Sequence, residues 1–271
     1  MEEGKNFKKK EPSEKAGKVQ AEELMLKEVD TKTPGSVKLL EGTIPTVTAF
    51  HHVIAKGTSL KLDGNIGAYH VLFQVSGKAT YETDGTSNTF GERVAFVPAL
   101  DKKLVIKGDE HTCILEMQIE MDETDMEFVK QYNVQFPLIQ KYLEADQYRD
   151  SHKTEKTISR QIIIQRNIPR FALGSVEMRN KDAMVAHAHP PLDQYFFTFP
   201  ENEMDLTLDG HHVPLKGNIL LHIPLGGDHG VECYDGQHCH YLWIDFMVNE
   251  SIARRLDGGH RSTGTKRSLD K

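Results

Sequence analysis

The stretch that decides the fold spans residues 187–229 and reads HAHPPLDQYFFTFPENEMDLTLDGHHVPLKGNILLHIPLGGDH. It combines residue types that bind metals with apolar runs that have the length of short strands. His187 and His189 are two residues apart, and on an extended strand this spacing points both imidazoles to the same face. His229 follows forty residues after His189, behind a proline–glycine turn at 224–227. Divalent metals bind to a few neutral imidazoles and an oxygen ligand. Ligands from such distant strands meet only if the sheet closes, so the stretch predicts a metal-binding β-barrel.

The oxygen ligand has two candidates, Asp193 and Gln194, at the start of the strand that follows the two histidines. Side chains alternate along a strand, so Asp193 shares a face with Tyr195, and Gln194 shares the other face with Phe196. A carboxylate is the stronger ligand for a divalent cation, which favours Asp193. Both remain open at this point.

The pattern of short apolar runs separated by turn residues extends over most of the chain. Short runs rich in Val, Ile, Thr, Phe and Tyr alternate with Gly, Asp and Asn, and many strands at this spacing indicate a sandwich or barrel. Two β-rich halves about 125 residues apart also share a pattern, FQVSGKATYETDG and FTFPENEMDLTLDG, which predicts two copies of one small barrel. We therefore predict an all-β fold of five segments: a disordered arm (1–35), an N-terminal barrel (36–121), a helical connector (122–158), a metal-binding barrel (159–250) and a flexible tail (251–271).

The N-terminal half does not repeat the ligand pattern. His70 stands alone where the oxygen ligand of the second half is expected, and Lys103 stands where the last histidine should be. The pair His51 and His52 lies outside the register. We expect this barrel to lack a metal.

The two motifs HAHPPLDQ and GNILLHIPLGGDH together resemble the double motif of the cupin superfamily. HAHPPLDQYFFTF, TISRQIIIQRNI and HYLWIDF look most like the bicupin ketol-isomerases of sugar acids, the 4-deoxy-5-hexosulose-uronate and 5-deoxy-glucuronate isomerases. The resemblance implies two tandem jelly-roll barrels and a metal held by His187, His189 and His229 in the second. The fourth ligand of that group is usually a glutamate, and its spacing favours Gln194 over Asp193.

By this resemblance the function is the interconversion of aldose and ketose forms of a sugar acid, or of a related small carbohydrate, through an enediolate. Zinc suits three imidazoles and one oxygen, with Fe²⁺, Mn²⁺ and Ni²⁺ as alternatives. A non-haem metal dioxygenase is the runner-up, and a non-enzymatic sugar-binding bicupin is the third possibility. The candidate catalytic residues are Glu177 as the base and Tyr195, Tyr241 and Arg170 around the substrate.

Several other residues are candidates for secondary roles. Trp243 is a candidate for the pocket wall, and Arg166 and Arg179 join Arg170 as candidate anchors for a carboxylate. His222 either lines the pocket or packs. His238 and His240 offer a second metal site, although a loop-to-strand edge is the simpler interpretation.

Composition excludes several classes of partner. The 271 residues carry a formal net charge of −7, and both ends are rich in Lys and Arg, so the central part is more acidic still and nucleic-acid binding is not expected. No apolar run reaches the length of a membrane span. The three cysteines form no CxxC pair, which favours reduced thiols and a cytoplasmic protein. Exposed barrel edges favour a homo-oligomer.

Overall fold

The computed structural model describes residues 24–189, 192–249 and 260–269. Up to the end of the first barrel the strands are β1 (Leu26–Glu28), β2 (Gly35–Leu39), β3 (Val47–Ile54), β4 (Ser59–Leu62), β5 (Ala68–Ser76), β6 (Ala79–Thr83), β7 (Thr86–Phe90), β8 (Val94–Val97), β9 (Leu104–Gly108) and β10 (Thr112–Glu120). The segment that follows contains α1 (Glu123–Gln131), β11 (Leu138–Lys141), a 3₁₀ turn (Tyr142–Glu144) and β12 (Asp146–Arg149). The remaining strands are β13 (Ile158–Ile163), β14 (Phe171–Arg179), β15 (Asp182–His187), β16 (Leu192–Thr198), β17 (Glu203–Leu208), β18 (His211–Lys216), β19 (Ile219–Ile223), β20 (His229–Cys233), β21 (His238–Met247) and β22 (Arg261–Ser262).

The strands form two barrels with the same topology. In the first, the sheet β11-β8-β5-β10-β3-β2 is accompanied by the sheet β4-β9-β6-β7. In the second, β1-β19-β16-β21-β14-β13-β12-β22 is accompanied by β15-β20-β17-β18. Each strand of the first barrel has a counterpart at the same sheet position in the second, which explains the repeat in the sequence. The prediction of an all-β fold of two jelly-roll barrels is confirmed.

Alternation along the strands creates three apolar cores. One lies inside the first barrel and includes Leu72 and Tyr81. Another lies inside the second barrel and includes Phe196 and Trp243. The largest joins the outer faces of the two large sheets. A side chain on β14, β16 or β21 therefore faces either the interior of the second barrel or the other barrel, and one residue of register decides which.

Two short strands from outside the predicted barrel boundaries complete the large sheets. Strand β1 pairs with β19 at the edge of the second barrel, although residues 1–35 were expected to be disordered. Residues 1–23 of that arm lie outside the described residues. Strand β11 takes the equivalent edge of the first barrel by pairing with β8. Both strands satisfy backbone groups of an edge that would otherwise be exposed.

The predicted helical connector is helical only in its first part. Asp122 caps α1 and forms a capping box with Asp125, as its position before the apolar spacing suggests. The prediction is wrong for residues 138–149 of the connector, which form β11, the 3₁₀ turn and β12 instead. Pairing with β8 and β13 supplies backbone hydrogen bonds that outweigh the weak helical preference of a short segment. With nine residues, α1 is too short to cross a membrane, and no described helix has the length and apolarity for a span.

The C-terminal tail is also partly ordered where it is described. Strand β22 pairs with β12. The carbonyl oxygen of Arg267 accepts hydrogen bonds from Gln147 and Arg160. Residues 250–259, the start of the predicted flexible tail, lie outside the described residues.

Candidate metal centre

Three histidines converge at the second barrel: His187 at the end of β15, His189 two residues beyond it, and His229 at the start of β20. One ring nitrogen from each of His187, His189 and His229 lies within 4.8 Å of the others. The ring centroids are 4.7 Å apart for His187–His189, 4.9 Å for His187–His229 and 5.6 Å for His189–His229. Three imidazoles gathered this closely form a candidate site for one cation.

The backbone around these histidines explains their convergence. Strand β15 pairs with β20 so that His187 lies opposite His229, and the register shifts between Met184 and His187. Such a bulge redirects side chains next to functional sites. Gly230 permits the close approach, because a Cβ there would lie 2.9 Å from the amide nitrogen of Ala186.

Backbone carbonyl groups orient two of the imidazoles. Nδ1 of His187 is 2.9 Å from the carbonyl oxygen of Val185, and Nδ1 of His229 is 3.0 Å from that of Gly227. If Nδ1 donates in both, the lone pair on Nε2 faces the cavity. Outer hydrogen bonds of this kind fix the tautomer and ring angle of metal-binding histidines.

Burial keeps the three imidazoles neutral at neutral pH. Loss of solvation lowers the pKa of His187 to about 4, and that of His189 and His229 to about 3. The positive charge of Lys153 lowers all three pKa values further. Neutral imidazole is the form that binds a metal.

Between the two candidate oxygen ligands, the structure favours Gln194. Its side chain is 4 % exposed and lines the cavity of the histidines, whereas Asp193 does not line it. Asp193 faces the opposite side of β16 and lies 3.2 Å from Nε2 of His222. The amide nitrogen of Gln194 donates to Asp245, and its oxygen Oε1 has no partner among the described residues. This buried oxygen is therefore available as a fourth ligand.

Asp245 is a cavity residue that the sequence analysis missed. Its Oδ1 accepts a hydrogen bond of 2.6 Å from Gln194, and the side chain lines the cavity on β21. Burial raises the pKa of Asp245 to about 7, although the hydrogen bond from Gln194 and the charge of Lys153 oppose the shift. Because side chains alternate along a strand, Asp245 shares a face of β21 with Tyr241 and Trp243, and this alternation could have predicted its place in the cavity.

The cavity has a volume of about 230 Å³, enough for a small ligand. Tyr241 lines it, as predicted from the sequence, and so does Trp243. A Cβ at Gly174 would lie 2.1 Å from Cζ2 of Trp243, so a glycine is needed beneath the indole. The remaining wall is formed by Tyr148, Asp150, Ser151, His152, Lys153, Gln165, Val176, Met184, Phe196 and His260.

Lys153 is the cation of this cavity, and it lies in the predicted connector rather than among the predicted arginines. Its side chain is 8 % exposed and forms an ion pair of 2.7 Å with Asp150. The ammonium also donates to the hydroxyl group of Tyr148 and lies 4.8 Å from the centre of that ring.

Three of the predicted catalytic residues, Glu177, Tyr195 and Arg170, do not line this cavity. Glu177 is on the opposite face of β14 from the lining residue Val176. Tyr195 faces the other barrel and shares a hydrogen bond with Thr43. Arg170 forms a bidentate ion pair with Asp125 of α1. In each case one residue of strand register, or a partner distant in sequence, decides the position.

The other predicted anchors and pocket residues also lie elsewhere. Arg166 and Arg179 are exposed and do not line the cavity. His222 packs against Tyr195 and contacts Asp193, which resolves its role in favour of packing.

A second group of possible ligands, Glu177, His238 and His240, is a hydrogen-bonded network between the barrels. Nδ1 of His240 is 2.6 Å from Glu201 and Nε2 is 2.6 Å from the hydroxyl group of Tyr142, so both ring nitrogens are engaged. Glu177 pairs with the buried Arg160 at 3.0 Å. These contacts favour a structural ion network over a second metal.

The first barrel contains a comparable network that the sequence analysis did not foresee. Glu116 is 1 % exposed and contacts His52 at 2.6 Å and His70 at 2.5 Å. Burial alone would raise the pKa of Glu116, but the hydrogen bonds from the two histidines outweigh it and lower the pKa to about 2. Among the described residues of this barrel no three candidate ligand atoms converge as those of the second barrel do.

Comparison with solved structures identifies the fold. A cupin 2 conserved barrel domain protein from Leptotrichia buccalis is similar with a TM-score of 0.54 at 12 % identity, over 80 % of this chain and 91 % of that one. An IolB-like protein from Salmonella typhimurium LT2 gives 0.66 at 11 % identity, over 83 % and 94 %. A variant of oxalate decarboxylase from Bacillus subtilis gives 0.63 at 13 % identity, over 86 % and 81 %. The chain therefore has the cupin fold.

At the level of sequence, neither a family model nor a curated protein matches the chain.

Proposed function

We propose that this chain is a metal-dependent isomerase that interconverts the aldose and ketose forms of a small carbohydrate. The observation that carries the proposal is the meeting of three neutral imidazoles, an unpartnered amide oxygen and a buried carboxylate at one cavity. The fold alone is compatible with many activities, so the proposal depends on this site.

The donor set fits a divalent ion of the zinc type. His187, His189 and His229 supply three nitrogen ligands, and Gln194 supplies an oxygen that has no other described partner. A ligand set without charge does not neutralise a divalent cation, and the nearby Asp245 carboxylate offsets part of the charge. When bound, such an ion polarises the carbonyl and the adjacent hydroxyl group of an open-chain sugar.

The chain's own residues then move the proton. Asp245 is the described carboxylate nearest to Gln194, and it is placed to take a proton from the carbon beside the carbonyl and return it to the former carbonyl carbon. A second proton moves between the two oxygens, so the reaction balances without an oxidant or reductant. Tyr241 and Trp243 provide an apolar wall that limits the access of water.

Metal analysis followed by an activity screen tests the proposal. We expect about one zinc ion per chain and isomerisation of sugars or sugar acids under anaerobic conditions. Chelation should abolish turnover and added zinc should restore it. Turnover that survives removal of the metal would contradict the mechanism.

The same experiment distinguishes the two alternatives. Bound iron, manganese or nickel together with O₂ consumption would identify a dioxygenase, because three histidines and one oxygen ligand also suit O₂ chemistry. One similar solved structure concerns the Mn(II) centres of oxalate decarboxylase from Bacillus subtilis, which makes manganese the first alternative to examine. Sugar binding without turnover would identify a binding protein.

We further propose that the chain works as a cytoplasmic homo-oligomer. Strand β2 is the outer strand of the first large sheet, and its Val37 is 56 % exposed. All three cysteines are buried and unpaired, which suits a reducing compartment. Light scattering of the purified protein should report a mass above 30.7 kDa, and a monomer would contradict the proposal.

A further inference from the structure

A second cavity lies between the two barrels, and we call it the inter-barrel cavity. Its wall includes Arg93 of the first barrel, Leu143 of the 3₁₀ turn and Arg160 of β13. Its volume is about 460 Å³, compared with about 230 Å³ for the cavity of the three histidines. The larger value falls within the range of about 300–1,000 Å³ that is usual for ligand sites. In the part of the chain that the structure describes, the two cavities share no lining residue.

Arg160 brings a buried and unsatisfied donor to this wall. Its side chain is 1 % exposed. Nη1 donates to Glu177 and to the hydroxyl group of Tyr142, and Nη2 donates to the carbonyl oxygen of Arg267. Nε is buried and has no partner among the described residues. Buried donors without an acceptor are uncommon and costly, so this N–H group indicates an acceptor that the described chain does not supply.

Arg93 brings a second guanidinium group from the other barrel. Its Nη2 donates to both carboxylate oxygens of Glu201, at 2.9 and 3.0 Å, and its Nε lies 3.4 Å from the carbonyl oxygen of Val75. These contacts leave Nη1 without a hydrogen bond to any described residue. The guanidinium carbon lies 3.8 Å from the centre of the Phe199 ring, which holds the group in place.

The carboxylates of the wall are already engaged. Three of them line the cavity, and each lies in an ion pair: Glu92 with Lys141, Glu177 with Arg160 and Glu201 with Arg93. Burial would raise the pKa of Glu201, but the hydrogen bond from His240 and the charge of Arg93 lower it to about 2. The wall therefore keeps N–H donors to offer, while its ionised acceptors are occupied. Such a wall is complementary to a ligand that supplies acceptor oxygens.

We propose that the inter-barrel cavity is a second ligand site, in which Arg93 and Arg160 bind the carboxylate or phosphate group of a small organic anion. Guanidinium groups match the planar carboxylate and the phosphate group better than other side chains do. Leu143 lines the same cavity and is 58 % exposed, so it offers an apolar contact for the carbon skeleton of the ligand.

This site is independent of the proposed isomerase, because the two cavities lie on opposite faces of the same strands. On β14, Glu177 faces the inter-barrel cavity and its neighbour Val176 faces the histidines. On β21, His240 and Tyr241 divide in the same way. A ligand between the barrels therefore does not meet the metal ligands, and its binding should not require a metal.

Calorimetric titration of the full-length protein tests the proposal with three probes of similar size. The probes are glycerol 3-phosphate, succinate and the neutral glycerol, each at the same ionic strength, because salt screens the contact. We expect at least one anion to bind and glycerol not to bind. The tighter of the two anions identifies the bound group as a phosphate or a carboxylate. Treatment with a chelator should leave the affinity unchanged.

Substitution of Arg93 measures the contribution of its guanidinium group. Arg93→Gln should weaken binding of the anion by roughly 10- to 100-fold, the range for a charge-assisted contact. Arg149→Gln is the matched control, because Arg149 also pairs with a glutamate, is 51 % exposed and does not line the cavity. This control should bind the anion as the wild type does.

A pair of variants at Leu143 keeps the test valid if Arg93→Gln lowers Tm. Leu143 is exposed, so its replacement does not disturb a core. Leu143→Glu places a negative charge at the cavity and should weaken binding of the anion by roughly 3- to 10-fold relative to Leu143→Gln, which has a similar shape and no charge. A role of the cavity in folding alone would give the two variants the same result.

The outcomes separate this site from the histidine cavity. Binding that survives chelation, weakens in Arg93→Gln and differs between the two Leu143 variants supports the proposal, with or without isomerase activity. Binding that disappears on chelation places the anion at the histidines and overturns it. An affinity unchanged in Arg93→Gln, or no binding of either anion at millimolar concentration, also overturns it.

Discussion

The substitution Glu177→Gln separates two roles for this carboxylate, because the sequence suggests a catalytic base and the structure places it in an ion pair. Glu177 lies 3.0 Å from Arg160, and their side chains are 4 % and 1 % exposed. It also contacts His238 at 3.3 Å. Burial would raise the pKa of Glu177, yet the hydrogen bond from His238 and the charges of His240 and Arg160 lower it to about 2.

The expected effect is a loss of stability with retention of activity. Removing one partner of a buried ion pair costs about 3–5 kcal/mol, and glutamine keeps an oxygen acceptor, so the lower end applies. For a chain of this size roughly 3 kcal/mol corresponds to a decrease in Tm of about 6–12 °C. Metal content should stay the same, since Glu177 is not part of the histidine cavity.

Urea denaturation, differential scanning calorimetry and metal analysis measure these quantities. Glu155→Gln is the matched control, because Glu155 pairs with Arg149 at 2.9 Å while being 87 % exposed. Exposed pairs contribute about 0–1 kcal/mol, so this control should be nearly neutral. A Glu177→Gln variant with unchanged stability and a more than 100-fold loss of turnover would refute the assignment and restore Glu177 as the base.

Three further predictions follow from the geometry. His229→Ala should reduce bound metal from about one ion per chain to almost none, measured by mass spectrometry, whereas His211→Ala at the exposed start of β18 should retain the metal. Asp245→Asn should retain the metal and lower kcat by about 10²- to 10⁴-fold, and unchanged kcat would exclude Asp245 as the proton carrier. Glu116→Gln should lower the free energy of unfolding at pH 7 by about 3 kcal/mol, because the pKa of Glu116 falls from 4.5 to about 2 on folding. That contribution is present above pH 4.5 and disappears as the pH falls towards 2, so urea denaturation should find the difference from wild type shrinking over this range.

The pattern of residues along the chain was sufficient to predict the overall architecture. Each strand-like run identified in the two β-rich halves became a strand, because the runs were bounded by turn residues and alternated in burial. The strands it missed, such as β1, β11 and β12, are short and pair with edges formed elsewhere in the chain. These strands form only by pairing with a strand that is distant in the sequence, so a short stretch of sequence does not reveal them.

The convergence of the three histidines was predictable for a related reason. His187 and His189 share a face by strand alternation, and His229 follows a turn whose spacing carries the motif. The choice between Asp193 and Gln194 was not predictable, because it requires knowing which face of β16 is directed into the barrel. The interior positions of Phe196 and Leu192 answer that question only once the sheet is assembled.

Part of the cavity wall comes from the connector, which carries Lys153, whereas the predicted cations Arg166, Arg170 and Arg179 all belong to the second barrel. Lys153 reaches the cavity because β12 pairs with β13 and brings residues 148–153 across the mouth of the second barrel. An isolated bridge between Lys153 and Met184 then fixes this segment against β15, beside His187. The segment therefore places Lys153 beside the strand that ends at His187. Backbone pairing thus holds Lys153 next to the three histidines, a position that the residue pattern of the barrel strands does not predict.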